Sequence, residues 1–381
     1  MLAKITRALL FVAVCAISTD VLANDYELID FGVIGSPYAI TDTGLLLGRA
    51  DDGTQTRSLV WNNGVSTVLL PLPALGRPDG PNFATEAIDI NNAGQAIGRS
   101  GQNRGVLWQQ DGAAIDLGVA SASAINNNGD IAVYKDSTHY IWHDGILLES
   151  GLPTNYVVRD MNDAGDIVGT YRDADSHQRA FLFSGGTITD LGVDEVEDFV
   201  RINNNGQIAG SFDYDGSGSN KPYLWQDGNL SYLDFGDSSD PVSALVRDIN
   251  DNGQLVGSAH YVGNFGPSEG FLWENGSYTN LNDLLLDDSG WHVTSWGYSI
   301  NNQGEILTIA APIDGFGRAV VLRPFGIDEP PIEELPTEEE PPTGGSSGEP
   351  GAGGPVVPEP SSLILLGSGL LSLAGIKRRS S

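Results

Sequence analysis

The chain has 381 residues with 49 Gly and one Cys, and although only 18% of it is charged, 50 Asp and Glu stand against 19 Lys and Arg, for a formal net charge of −31. That imbalance argues against nucleic acid and anionic lipid surfaces as partners, because their approach adds repulsion where a binder needs counterion release. Cations and neutral glycans remain compatible with it.

The first segment is basic and then apolar. Lys4 and Arg7 precede the run from Ala8 to Ile17, and Val21-Leu-Ala23 supplies small residues for cleavage, so residues 1–23 read as a secretory signal peptide. Cys15 leaves with it, and Val14 is too bulky for a lipoprotein box. A mature chain without Cys gains no disulfide and needs no oxidant to fold.

Tyr26-Glu-Leu-Ile-Asp-Phe-Gly32 reads as a lone strand, and behind it one sentence is written seven times: Ile-Asn-Asn-x-Gly or a variant, then a short apolar run. The copies close on Gly44, Gly94, Gly129, Gly165, Gly206, Gly253 and Gly304, at intervals of 35 to 51 residues. Repetition on that scale marks solenoids and propellers. In the first six copies a strand-like stretch follows the Gly, then a loop, a run ending in an aromatic (Trp61, Trp108, Trp142, Phe183, Trp225, Trp273), a small-residue turn and a fourth run. Four short strands joined by Gly, Asn and Asp turns form an antiparallel meander, the unit of a propeller blade. The Asn and Gly of the turn serve its geometry: Asn bonds its own backbone and Gly accepts positive φ. The aromatics are expected between blades.

Two connections carry candidate chemistry. Asp213-Tyr-Asp-Gly-Ser-Gly218 has oxygen side chains at positions 1, 3 and 5 and Gly at 6, the opening of a calcium loop, with Leu224 where a bidentate Glu belongs at position 12. Asp213, Asp215 and Ser217 are the candidate calcium ligands; a polar connection is the alternative. Farther on, Trp291, His292 and Trp296 sit beside Asp287 and Asp288 in the connection Leu281 to Tyr298, and exposed Trp faces are platforms for sugar rings. Second-to-third and fourth-to-first connections vary in length while the other two hardly do, and in a meander both variable kinds emerge on one face, the expected binding side. The repeats contain no H-E-x-x-H, nucleophile elbow or P-loop, and no catalytic residue is assigned.

The seventh copy supplies three strands and then runs into Arg323-Pro324. The lone N-terminal strand supplies the fourth, closing the ring and removing an edge that would otherwise template aggregation. The prediction is an all-β, seven-bladed β-propeller over residues 24–326, closed by an N-terminal strand. Residues 327–357, rich in Pro, Glu, Gly and Ser, read as a disordered linker. Residues 358–381 hold Pro358-Glu359-Pro360, an apolar segment Leu363 to Ile376 shorter than the roughly 20 residues of a comfortable membrane helix, and Lys377-Arg-Arg379 on the cytoplasmic side.

That tail resembles the PEP-CTERM sorting signal of Gram-negative bacteria. The resemblance implies recognition and tail removal by an exosortase, transient inner-membrane anchoring through a short transmembrane segment, and association with exopolysaccharide and biofilm. The repeats resemble the HAF family of extracellular repeat proteins, most closely at Val158 to Gly169, Ala180 to Phe183 and Thr189 to Gly192, while Val133 and Thr308 replace the expected second Gly in the third and seventh copies. The family brings no catalytic residues. The expected function is an exported surface or extracellular-matrix binding protein, secreted or at the cell surface, whose partner is an exopolysaccharide. The alternatives are a polysaccharide lyase or hydrolase working on the variable-loop face and a purely structural matrix protein.

Overall fold

The structure, a computed structural model, describes residues 26–326 except 32–34, 52–55, 73–84, 102–103, 217, 236–241, 262–267 and 287–288. The expected signal peptide and linker and the sorting tail therefore lie outside the described residues, as does Ser217.

Seven small antiparallel sheets follow one another along the chain. Blade 4 shows the pattern: inner strand Tyr156–Met161, then Ile167–Arg172, Gln178–Ser184 and the outer Thr187–Asp194, each paired to the next. Blade 7 differs at both edges. Its inner strand is broken into Trp291–Val293 and Ser299–Ile300, both paired to Ile306–Pro312, and its outer strand is Tyr26–Asp30. That N-terminal strand pairs antiparallel with Arg318–Pro324, from Tyr26 opposite Pro324 to Asp30 opposite Val320, so the two ends of the propeller sequence close the ring as expected.

The seven turn glycines all have φ between 74° and 81°, a region where a Cβ is strained. The second Gly of the repeat has a different cause. In the inner strand the register slips by one residue just before the turn, for instance between Val158 and Asp160, and this bulge presses a carbonyl onto the neighbouring strand. A Cβ on Gly169 would lie 1.9 Å from the Val157 oxygen, and one on Gly257 1.9 Å from that of Leu245.

The core is divided rather than central. Seven apolar clusters fill the seven gaps between adjacent blades, such as Leu47, Val60 and Leu69 of blade 1 against Ala87, Val106 and Trp108 of blade 2. The gap from blade 7 to blade 1 holds Leu307 and Val321 against Ile40, Leu46 and Trp61, with Ile29 and Phe31 of the N-terminal segment packed on them. Trp61, Trp108, Phe183 and Trp225 are buried in these gaps, whereas Trp142 and Trp273 are half-buried at their edges. At roughly 25 cal/mol per Å² of apolar surface, such wedges stabilise a ring that no single sheet of four strands could hold together.

A polar channel and its two mouths

The inner strands surround a central channel of about 910 Å³. Its chemistry changes along the axis, because each inner strand runs from the variable-loop face to the Asn turn.

At the turn end the blades are stitched by side chains. Asn162 is 4% exposed; its Oδ1 accepts the N–H groups of Ala164 (3.1 Å) and Asp166 (2.9 Å), and its Nδ2 donates to the Asn203 carbonyl of the next blade. The same step is taken from Asn91, Asn126, Asn203, Asn250 and Asn301, the last reaching the Thr41 carbonyl of blade 1. Thr41 has no amide to pass on, and Thr43 Oγ1 donates to the Asn92 carbonyl instead. One residue farther along, a second ring closes completely: the backbone N–H of each blade donates to the side-chain oxygen of the next, through Asp42, Asn92, Asn127, Asp163, Asn204, Asp251 and Asn302, at 2.7–2.9 Å. The turn Asn was expected to serve its own loop; it also joins the blades, which only the closed ring reveals.

Midway along the channel stand Asp89, Asp160 and Asp248, on blades 2, 4 and 6. Each carboxylate accepts the N–H of the following residue and that of the equivalent residue one blade on: Asp89 from Ile90 and Ile125, Asp160 from Met161 and Ile202, Asp248 from Ile249 and Ile300. Each keeps part of its surface on the channel, yet is largely enclosed by protein and away from bulk solvent. Burial therefore raises all three, Asp89 to about 7 with help from the like charge of Asp160, and Asp160 to about 6 against the pull of Arg201.

The opposite mouth, on the variable-loop side, is cationic and aromatic. Arg99, Arg159 and Arg247 line the channel, and Arg201 holds on blade 5 the position that Asp160 and Asp248 hold on blades 4 and 6, in a domain where 14 Lys and Arg face 40 Asp and Glu between Asn24 and Gly326. Arg99 pairs with Glu86 and Arg159 with Asp198. Arg247 is different: its guanidinium lies 4.3 Å from the Phe199 ring centroid and 4.0 Å from that of Trp296. Trp296 reaches this place because the inner strand of blade 7 is interrupted there; its carbonyl accepts the hydroxyl of Thr308, the residue that replaces the second Gly.

The proposed sugar-binding trio is thus divided. Trp296 stands at the channel mouth, Trp291 packs on the core between blades 6 and 7 with Arg318 5.8 Å from its ring centroid, and His292 is exposed on the short strand beside it. In the Asp213 loop the carboxylate turns onto its own backbone, accepting N–H groups from Asp215, Gly216 and Gly218. Among the described residues no group of three or more His, Cys, Asp or Glu is placed to hold a metal. His139 is buried, which lowers its pKa, and His143 Nδ1 lies 2.8 Å from Asp130 on the surface. Sequence reasoning did not single out the Asp89, Asp160 and Asp248 level or Arg247. The alternating Asp before the turn Ile was the available signal for the first, and none pointed to the second.

A family model described as protein of unknown function, DUF3466, matches residues 52–317, and the PEP-CTERM protein-sorting motif matches residues 356–379. The family match is therefore to DUF3466 and not to a HAF-repeat model. No curated protein sequence matches significantly. Among solved structures, the β-propeller domain of the Trilobed protease from Pyrococcus furiosus, described with an open velcro topology, is similar over 82% of this chain and 100% of its own, at 10% identity and a TM-score of 0.50. A puromycin-hydrolysing peptidase from Mycobacterium tuberculosis is similar over 79% of this chain, again at 10% identity and 0.50, and the chain spans about half of it, 53%. These likenesses show the propeller fold. Among the described residues no helix is long and apolar enough to cross a membrane.

Proposed function

The chain belongs to the DUF3466 family, and from that membership, its sorting motif and its channel we propose an exported propeller that binds a glycan, with exopolysaccharide as the partner, at the cell surface or in the extracellular matrix. The PEP-CTERM motif marks a protein exported through the inner membrane of a Gram-negative bacterium and processed by an exosortase. The observation that carries the binding reading is the asymmetry of the channel. Its turn end is consumed by hydrogen bonds between blades, while toward its variable-loop mouth Arg247 lies against Phe199 and Trp296 with no ion-pair partner among the described residues.

An enzyme reading would need Asp89 or Asp160 as general acid, since their raised pKa values suit that role. Against it, both oxygens of each carboxylate already hold backbone N–H groups of two blades. A glycan array on the secreted protein, followed by assay of the bound glycans for new reducing ends or unsaturated products, separates the cases. Retention without products supports binding, products support a hydrolase or lyase, and no retention supports a structural matrix role.

A further inference from the structure

We propose that Arg247 is the anchor for a carboxylate-bearing saccharide unit entering the channel from the variable-loop mouth; the inference rests on the glycan-binding reading and specifies its ligand. Arg247 is half-buried on the inner strand Val242–Ile249 of blade 6. Among the described residues nothing accepts a hydrogen bond from it and no carboxylate forms an ion pair with it, and its Nε is buried without a partner. A guanidinium taken partly out of water without an anion is a liability in a folding chain, because its hydration is lost and nothing charged replaces it.

With Phe199 and Trp296 at 4.3 and 4.0 Å, the rings occupy the neighbourhood of Arg247 as flat, apolar partners, and rings of this kind engage the π faces of a guanidinium rather than its N–H edge. The edge with its forked donors is the part that matches an oxyanion in two parallel hydrogen bonds. Burial lowers the pKa of Arg247, Tyr298 works against that, and the positive charge of Arg201 lowers it further.

Charge limits the anion. Asp89, Asp160 and Asp248 hold on their blades the position that Arg201 holds on blade 5, and the whole domain is strongly acidic, so a dianion or polyanion meets more repulsion than a single carboxylate does. Other walls of the channel, on blades 1, 2 and 4, are apolar and open: Tyr38, Ile88 and Val157 are 36%, 40% and 46% exposed while lining it. Such walls suit the C–H face of a sugar ring that carries the carboxylate. A uronic acid unit combines both.

The test is calorimetric titration of the secreted protein with a trisaccharide holding one galacturonic acid unit and two neutral sugars, and with the methyl ester of that unit, which keeps the shape and removes the charge. The acid form is expected to bind saturably, with the ester and the Arg247→Gln variant at least about tenfold weaker and Arg247→Lys in between, because Lys keeps the charge but not the fork. Arg247→Gln should melt no lower than wild type, since it removes an uncompensated charge; the Lys variant provides a second reading if it does not fold. No saturable binding of the acid form, or tighter Arg247-dependent binding of inorganic phosphate, overturns the assignment. Equal binding of acid and ester that ignores Arg247 overturns the carboxylate anchor while leaving the glycan-binding function standing.

Discussion

Ser299 donates its hydroxyl to the Asp248 carboxylate at 2.6 Å, and the same oxygen lies 3.3 Å from the Ile40 N–H of blade 1. The reason is parity. An Asp on every second blade satisfies the inner N–H groups of its own blade and the next, which serves six blades in three pairs and leaves blade 1, the seventh, without a carboxylate. Ser299 fills that place by extending the reach of Asp248.

Replacing Ser299 by Ala leaves the buried Ile40 N–H unpaired and takes a donor from Asp248. The expected loss is about 1–3 kcal/mol. Urea unfolding of the Ser299→Ala protein should show a lower midpoint at an unchanged slope; an unchanged midpoint would remove Ser299 from the closure of the ring.

The channel aspartates predict a pH dependence opposite to ordinary acid denaturation. Their folded-state pKa values, about 7 for Asp89 and about 6 for Asp160, exceed the unfolded value of 3.8, so between these limits the folded state binds more protons. Stability from these groups is full below the unfolded pKa and declines as pH rises through the folded ones. Melting temperature should therefore fall from about pH 5 to about pH 8. Asp89→Asn should flatten that slope, whereas Asp136→Asn, which removes the same charge from an exposed turn, should leave it.

The N-terminal strand predicts that a chain beginning at Gly35 loses several kcal/mol, because the ladder along Arg318–Pro324 and the burial of Tyr26 at 4% exposure disappear together. Light scattering should detect association through the bared edge. A monomeric truncation with wild-type melting would defeat closure by this strand.

For the Asp213 loop, three backbone N–H groups on one carboxylate predict that Asp213→Ala lowers stability by about 1 kcal/mol through lost capping. The drop should be equal in millimolar calcium and in chelator. A wild-type melting temperature that rises with calcium, and does not in the variant, would instead support a metal held by Asp213 and Asp215.

Much of this architecture was legible along the chain because it is local. The Asn162-to-Gly165 turn states its own φ and hydrogen bonds, and Tyr26 to Gly32 reads like the fourth run Ile115-Asp-Leu-Gly118 of another copy, the place that its strand Tyr26–Asp30 takes. The site was less legible because ring closure creates it. Phe199, Arg247 and Trp296 belong to blades 5, 6 and 7, and no spacing in a linear sequence says that their side chains meet. Trp291 and Trp296 are near neighbours in sequence, yet the break in the inner strand of blade 7 gives them different duties. Asp89, Asp160 and Asp248 were printed in plain view, but their alternation has meaning only when the blade after each is known.

The second ring of turns places its carboxylates with the same arithmetic. Asp42, Asp163 and Asp251 occupy three of seven seats, and each has Asn on both sides; Asn92 and Asn302, for example, both donate to Asp42 at 3.0 Å. Three is the most that seven seats allow without two acids becoming neighbours. The repeats are therefore not interchangeable words, although they look so. A lineage that lengthened or shuffled this propeller by copying a blade could insert one with Asn in that seat beside any neighbour, but one with Asp only between two Asn, so the order of the copies is itself inherited information.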